Sequence, residues 1–212
     1  MYLYLHAGGR LPVTWYEADY VDKLPMTSMP LRPIESLKYP GRTYKFYDGS
    51  TVYPFAYGLS YTQFTYELVS STNNLDVKLG PLQQCHALNY EDPKFNQECP
   101  AAVVDELSCE DKVVSLQVSV KNVGTKDGNE VVVVYSRAPK GIVGTPIKKV
   151  IGFERVFVAA GGSQNVNFEL DACKSFNLID VSAYNLLPSG SHTIEVGDNA
   201  LISTTLQLNL VH

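Results

Sequence analysis

Val114, Leu116, Val118 and Val120 alternate strictly with Ser115, Gln117, Ser119 and Lys121. A strand turns successive side chains to opposite faces, so this stretch has one apolar face that must be buried and one that tolerates water. The pattern recurs. Val166, Phe168 and Leu170 alternate with Asn165, Asn167 and Glu169, and Leu206, Leu208 and Leu210 alternate with Gln207, Asn209 and Val211. Ile194 and Val196 mark a further strand, and Glu130 to Ser136 and Lys149 to Val158 two more. Turn chemistry separates them at Asn122-Val123-Gly124, Asp127-Gly128, Gly161-Gly162, Pro188-Ser189-Gly190 and Gly197-Asp198-Asn199. Six or seven such strands, each with one face to cover, predict a mainly β chain built as an antiparallel β-sandwich.

The first third reads differently. Eleven of the fourteen tyrosines lie at or before Tyr66, and prolines recur at 12, 25, 30, 33, 40 and 54. Helices of ordinary length do not survive that spacing, a turn near Ile34 to Leu37 excepted. Irregular chain with short extended pieces is expected over residues 1–60. So long a stretch is uncommon in a self-contained domain, so it is expected to strap over something larger. Tyr44, Phe46, Tyr47, Tyr53, Phe55 and Tyr57 are candidates for one of two roles. Flat rings stack on sugar faces, and aromatic side chains also staple a segment onto a neighbouring domain, each burying roughly 150–250 Å². The staple is the preferred reading. Arg42 and Lys45 stand where they can reach a partner carboxylate.

A net charge of -5 without a Lys/Arg cluster argues against nucleic acid as a partner. No run approaches the roughly 18 apolar residues of a membrane span. Met1 to His6 has no basic flank and is shorter than the roughly 7–15 residues of a signal-peptide core, so no secretory signal is expected there. No Asn-x-Ser/Thr sequon occurs.

Cys85, Cys99, Cys109 and Cys173 form no CxxC pair, and the four histidines show no ligand spacing, so neither a metal site nor any other cofactor is expected. Disulfides are the expected use. Of three possible connectivities, Cys85–Cys99 with Cys109–Cys173 is favoured, and four unpaired thiols are the alternative. A loop the length of Cys85–Cys99 contributes about 3 kcal/mol in the chain-entropy view. The span from about 70 to 109 reads as a cysteine-containing insertion with little regular structure.

Catalytic constellations are missing from the sequence. There is no GxSxG, phosphate-binding glycine loop or HExxH. The acidic pairs Glu17/Asp19, Asp105/Glu106 and Glu110/Asp111 read as solvated surface. Cys173 with His192 reads as a disulfide cysteine and a surface histidine rather than a nucleophile and base.

Several long motifs carry a resemblance. GGRLPVTWY at 8–16, YPGRTYKFYDGSTVYPFAYGLSY at 39–61 and TPIKKVIGFERV at 145–156 resemble plant members of glycoside hydrolase family 3, of the β-xylosidase and α-L-arabinofuranosidase type. VKNVGTKDGNEVVVVYS at 120–136, IGFERVFVAAGGS at 151–163 and LLPSGSHTIEVGD at 186–198 resemble the fibronectin type III-like, immunoglobulin-like domain of that family. The resemblance implies that residues 1–60 are a remnant of the family's α/β sandwich domain with a linking strap. Residues 61–212 are then the fibronectin-like domain. It also implies an extracellular, cell-wall setting and, because it begins abruptly at Ala7, that Met1 to His6 is an artificial or alternative start. The family draws its nucleophilic Asp from a (β/α) barrel and its acid/base Glu from the α/β domain, both upstream of GGRLPVTWY, so no catalytic residue is expected here. One departure stands inside the strongest motif, where the family's usual Gly is Ala56. Glycine often marks positive φ or close backbone approach.

Three readings follow. The chain is a non-catalytic C-terminal portion of such an enzyme, or a stand-alone module binding xylan, arabinan or a protein. In the third, it assembles in trans with a subunit bearing the catalytic domains.

Overall fold

The computed structural model describes residues 8–23, 27, 29–94, 98–197 and 200–212. The expectations for Met1 to His6, and for Asp198 and Asn199 of one turn, lie outside them. Thirteen strands occur among the described residues: β1 Trp15–Tyr16, β2 Thr51–Tyr53, β3 Phe64–Ser71, β4 Asn74–Lys78, β5 Ala101–Val103, β6 Val113–Asn122, β7 Gly128–Arg137, β8 Lys149–Val158, β9 Ser163–Asp171, β10 Leu178–Ile179, β11 Asn185–Pro188, β12 Gly190–Val196 and β13 Ile202–Val211.

Two sheets form the sandwich. One has the order β4-β13-β12-β7-β8 and the other β3-β6-β9. The alternating residues meet between them. Leu116 and Val118 from β6, Phe168 and Leu170 from β9, Val132 and Val134 from β7, Ile194 from β12 and Leu206 and Leu208 from β13 share one buried core. At about 25 cal/mol per Å² of apolar area, such burial is the main term holding the fold together. The outer face of β6 and β9 stays polar, where Gln117 donates to the Asn167 amide oxygen and Ser115 to the Glu169 carboxylate.

Asn122 closes one end of this core. Its side chain is fully buried. The amide nitrogen donates to the Lys126 and Val158 carbonyls, while the amide oxygen accepts from the Thr62 hydroxyl and the Gly124 N–H. The turn expected at Asn122 to Gly124 is thus organised from inside the protein.

The span 70–109 departs from its expectation as unstructured loop. Asn74–Lys78 is a strand that runs parallel to β13, and it makes that sheet mixed. Val77 is fully buried and Leu75 packs beside the core, which explains why this short alternating piece joins the sheet. A small sheet, β10-β11-β5, packs around Ala101, Ile142, Leu178 and Leu186.

The first third holds β1 and β2 as a two-stranded ribbon, two short 3-10 helices at Ala18–Asp22 and Glu35–Leu37, and one helical turn at Thr43–Phe46. Its Tyr44, Phe55 and Ala56 pack on the outer face of the five-stranded sheet. β7 is therefore covered on both sides, by the core at Val132 and Val134 and by this segment at Val133 and Tyr135. Double coverage accounts for the unbroken apolar run Val131 to Tyr135, where a half-buried strand would alternate.

Candidate functional site

The six aromatic residues divide into three pairs. Tyr44 and Phe55 stack with ring centroids 4.1 Å apart and cover Tyr135, Val133 and Val150 of the sheet. The Tyr44 hydroxyl accepts from the Val150 N–H. Phe46 and Tyr47 are buried within the segment itself. The Arg32 guanidinium sits over the Phe46 ring, and Tyr47 packs edge-on against Tyr16 and Tyr20, which stack on each other at 4.0 Å. Tyr53 faces outward beside Trp15, with Trp15 52% exposed and Tyr53 37% exposed, and the half-buried Tyr57 packs against Tyr53.

Hydroxyls supply the internal order that a string of prolines and tyrosines lacks. Tyr20 donates to the Gly41 carbonyl, Tyr39 donates to the Pro30 carbonyl, and the Tyr39 hydroxyl accepts from Arg42. The Tyr16 hydroxyl accepts from the Thr43 N–H at 2.6 Å, which helps hold Thr43 at a φ of 60°, an uncommon setting for a β-branched residue. Burial, together with the neighbouring Tyr39, pushes the Tyr20 phenol well above its ordinary range.

Ala56 keeps the left-handed conformation that a glycine takes at low cost, with φ at 66°. Its N–H donates to the Leu11 carbonyl, and its methyl is buried against Val133 and Tyr135. Contact with the sheet offsets the local strain. Next to it, a Cβ on Gly58 would come within 2.5 Å of the Gly9 carbonyl oxygen, so two pieces of the segment cross backbone to backbone there.

Two buried carboxylates deserve a catalytic test. Glu130 is paired with Arg10 and also accepts from the Tyr66 hydroxyl, so it clamps the segment to the end of the sandwich. Glu195 is paired with Arg137 at 2.6 Å, and Arg137 also donates to the Ile147 carbonyl. Glu195 lies opposite Tyr135, five residues along β7 from Glu130. That places the two roughly 17 Å apart at 3.4 Å per residue, and the odd offset turns them to opposite faces. A retaining pair needs roughly 5–5.5 Å. The acidic pairs Glu17/Asp19, Asp105/Glu106 and Glu110/Asp111 are all exposed.

His192 corrects an expectation. It is fully buried rather than at the surface, because it alternates onto the same face of β12 as Ile194 and Val196. Nε2 donates to the Pro188 carbonyl at 2.8 Å, Nδ1 has no hydrogen-bond partner among the described residues, and the ring packs edge-on to Phe176. Burial lowers its pKa to about 4. Cys173 is bonded to Cys109, with Cα atoms 6.1 Å apart, and Cys85 is bonded to Cys99 at 5.2 Å. No group of three metal-ligating side chains occurs among the described residues. No described helix is long and apolar enough to cross a membrane.

Sequence reasoning missed Arg10, Glu130, Tyr66 and Trp15. A carboxylate interrupting the apolar register of β7 was the available signal for Glu130; the other three carry none without the fold.

Comparison with known proteins fits this picture. Residues 130–200 match the fibronectin type III-like domain family. The chain is 40% identical to Beta-D-xylosidase 1 of Arabidopsis thaliana over 195 residues, 90% of this chain and 24% of that protein. It is 33% identical to Beta-xylosidase/alpha-L-arabinofuranosidase 2 of Medicago sativa subsp. varia over 195 residues, 92% of this chain and 24% of that protein. Among solved structures, a family 3 exo-β-xylosidase in complex with a xylobiose aziridine probe superposes with a TM-score of 0.75 at 25% identity. That match covers 95% of this chain and 24% of the other. The chain thus spans about a quarter of the length of these relatives. Sequence and fold together place it in glycoside hydrolase family 3, as a C-terminal portion that includes the fibronectin type III-like domain.

Proposed function

We infer that the chain is the non-catalytic support of a β-xylosidase/α-L-arabinofuranosidase-like enzyme. In this reading the whole enzyme acts outside the cell on xylan- or arabinan-derived oligosaccharides, and the fibronectin-like domain braces its catalytic domains. One observation carries it: the two buried carboxylates are arginine-paired, roughly 17 Å apart and on opposite faces of a sheet, where a hydrolytic pair must converge. Residues 1–60 are taken as the end of the α/β sandwich domain with its strap, and residues 61–212 as the fibronectin-like domain. The packing of Tyr44, Phe55 and Ala56 on the outer sheet face supports giving the strap a bracing role.

The outward aromatic row favours docking over sugar binding. The Trp15 and Tyr53 rings are inclined at 67° and the Tyr53 and Tyr57 rings at 34°, so they offer no common flat platform. Edges and faces so inclined suit packing against another protein surface.

The purified chain is expected to release no chromophore from aryl xyloside or arabinofuranoside. Its fusion to the remaining portion of the Arabidopsis relative is expected to do so. Turnover by the chain alone that disappears in Glu130→Gln or Glu195→Gln overturns the reading.

A further inference from the structure

The strap carries a groove that its own packing leaves open. It has a volume of about 470 Å³ and is lined by Pro12 to Thr14, Arg42 to Lys45, Leu31 and Phe55. Val13 and Leu31 are 51% and 52% exposed, so the apolar wall faces solvent. The Lys45 carbonyl accepts from the Ile147 N–H at 2.6 Å, which anchors the backbone from which that side chain leaves.

The rim is short of negative charge. None of the ion pairs among the described residues includes Lys45 or the nearby Lys149. Lys149 donates to the Lys174 carbonyl at 2.6 Å and to the Asn177 side chain, which are neutral acceptors. Burial first, and the charge of Lys45 second, lower its pKa to about 8. Two neighbouring ammonium groups repel, and a carboxylate placed at the rim relieves that repulsion. An apolar trough with such a rim fits a segment in which Asp or Glu stands beside a bulky apolar side chain.

The chain spans 24% of the Arabidopsis relative, so a whole enzyme of this kind has abundant further chain to supply that segment. Resting on the support reading, we propose that the groove receives an acidic–apolar segment from the part of the enzyme outside the matched quarter, with its carboxylate paired to Lys45. A second copy of this chain is the competing occupant.

The test uses the fusion to the rest of the Arabidopsis relative, treated with a carbodiimide that joins an amine to a carboxylate in direct contact. Lys45 is expected to couple to an Asp or Glu of the added portion. It is also expected to be acetylated about tenfold more slowly in the fusion than in the isolated chain, as for a contact open about a tenth of the time. A fusion in which Lys45 is acetylated as fast as in the isolated chain overturns the proposal, as does coupling between two copies of the chain. Should the fusion not fold, overlapping peptides from the added portion are offered to the isolated chain. Peptides pairing Asp or Glu with a bulky apolar residue are expected to bind, and Lys45→Glu to weaken them about thirtyfold, as for truncating one partner of a buried charge pair. No peptide bound, or binding indifferent to that change, overturns it. Turnover judges the support reading separately. An active fusion with freely reactive Lys45 removes the groove and leaves the support, and a folded fusion without turnover counts against the support.

Discussion

The sandwich and the strap reach order by different routes. From β3 onward, alternating side chains make strands that need only each other, and the resulting core closes with Val118, Val134, Ile194 and Leu208 fully buried. Residues 8–61 have no such pattern. Tyrosine hydroxyls bonded to carbonyls order the described ones, as do the left-handed settings at Thr43 and Ala56 and contact with the outer face of β7. The sandwich supplies its own reason to fold; the strap borrows one. The borrowing also leaves an apolar side outward, at Val13, Trp15, Leu31 and Val52, each about half exposed. The comparison teaches that a segment without periodicity can be ordered when a sheet offers it a second face.

The comparison can be broken or sharpened, with the largest effect in the sandwich. Leu116→Ala deletes a core side chain that is 1% exposed and is expected to cost about 2–5 kcal/mol. Urea unfolding followed by strand and strap probes should show both regions melting together, since the strap depends on the sheet.

Acid comes next. The His192 pKa falls from an ordinary 6.5 to about 4 on folding, so between those values the unfolded chain binds the extra proton. Stability is full above about pH 6.5 and is lost as pH falls towards 4, by about 3 kcal/mol at 1.36 kcal/mol per unit. Below 4 this contribution stays constant. Unfolding midpoints measured from pH 7 to pH 4 check it, and His192→Leu should remove that part of the slope.

Arg10→Ala separates the regions. It leaves the buried Glu130 with Tyr66 but without its cation, which is expected to cost about 2 kcal/mol, less than a fully buried pair because Arg10 is 23% exposed. The loss should appear as faster amide exchange at Leu11 and Ala56, with the core of β6 unchanged. Ala56→Gly has the smallest effect. Relief of the left-handed strain, about 1 kcal/mol, is nearly cancelled by loss of a buried methyl worth about 0.8 kcal/mol, so a midpoint shift near zero is expected.

How much of this was legible follows from the same contrast. The long strands were readable because their period is written in single residues. The sandwich fold and its family followed from that pattern and the motifs around it. β4 carries the same signal in Leu75 and Val77, but five residues give too few repeats to separate a strand from a loop. His192 had its answer in the parity of Ile194 and was misplaced because histidine is so often at the surface. Which side each tyrosine of the strap faces was not readable, since partners such as Gly41 and Val150 are fixed only by the tertiary fold. The clamp of Arg10 on Glu130 spans 120 residues, a separation at which spacing carries no information.

Native-state hydrogen exchange on the isolated chain tests most directly whether strap and sandwich form one unit. The amides of Leu11, Ala56 and Ile147, which bond to Tyr57, Leu11 and Lys45 across the strap and its junction, are the reporters. The account predicts that they exchange slowly and that their protection falls together with that of β7 when urea is added. Exchange of these three at free-peptide rates, while β6 and β7 stay protected, would contradict it.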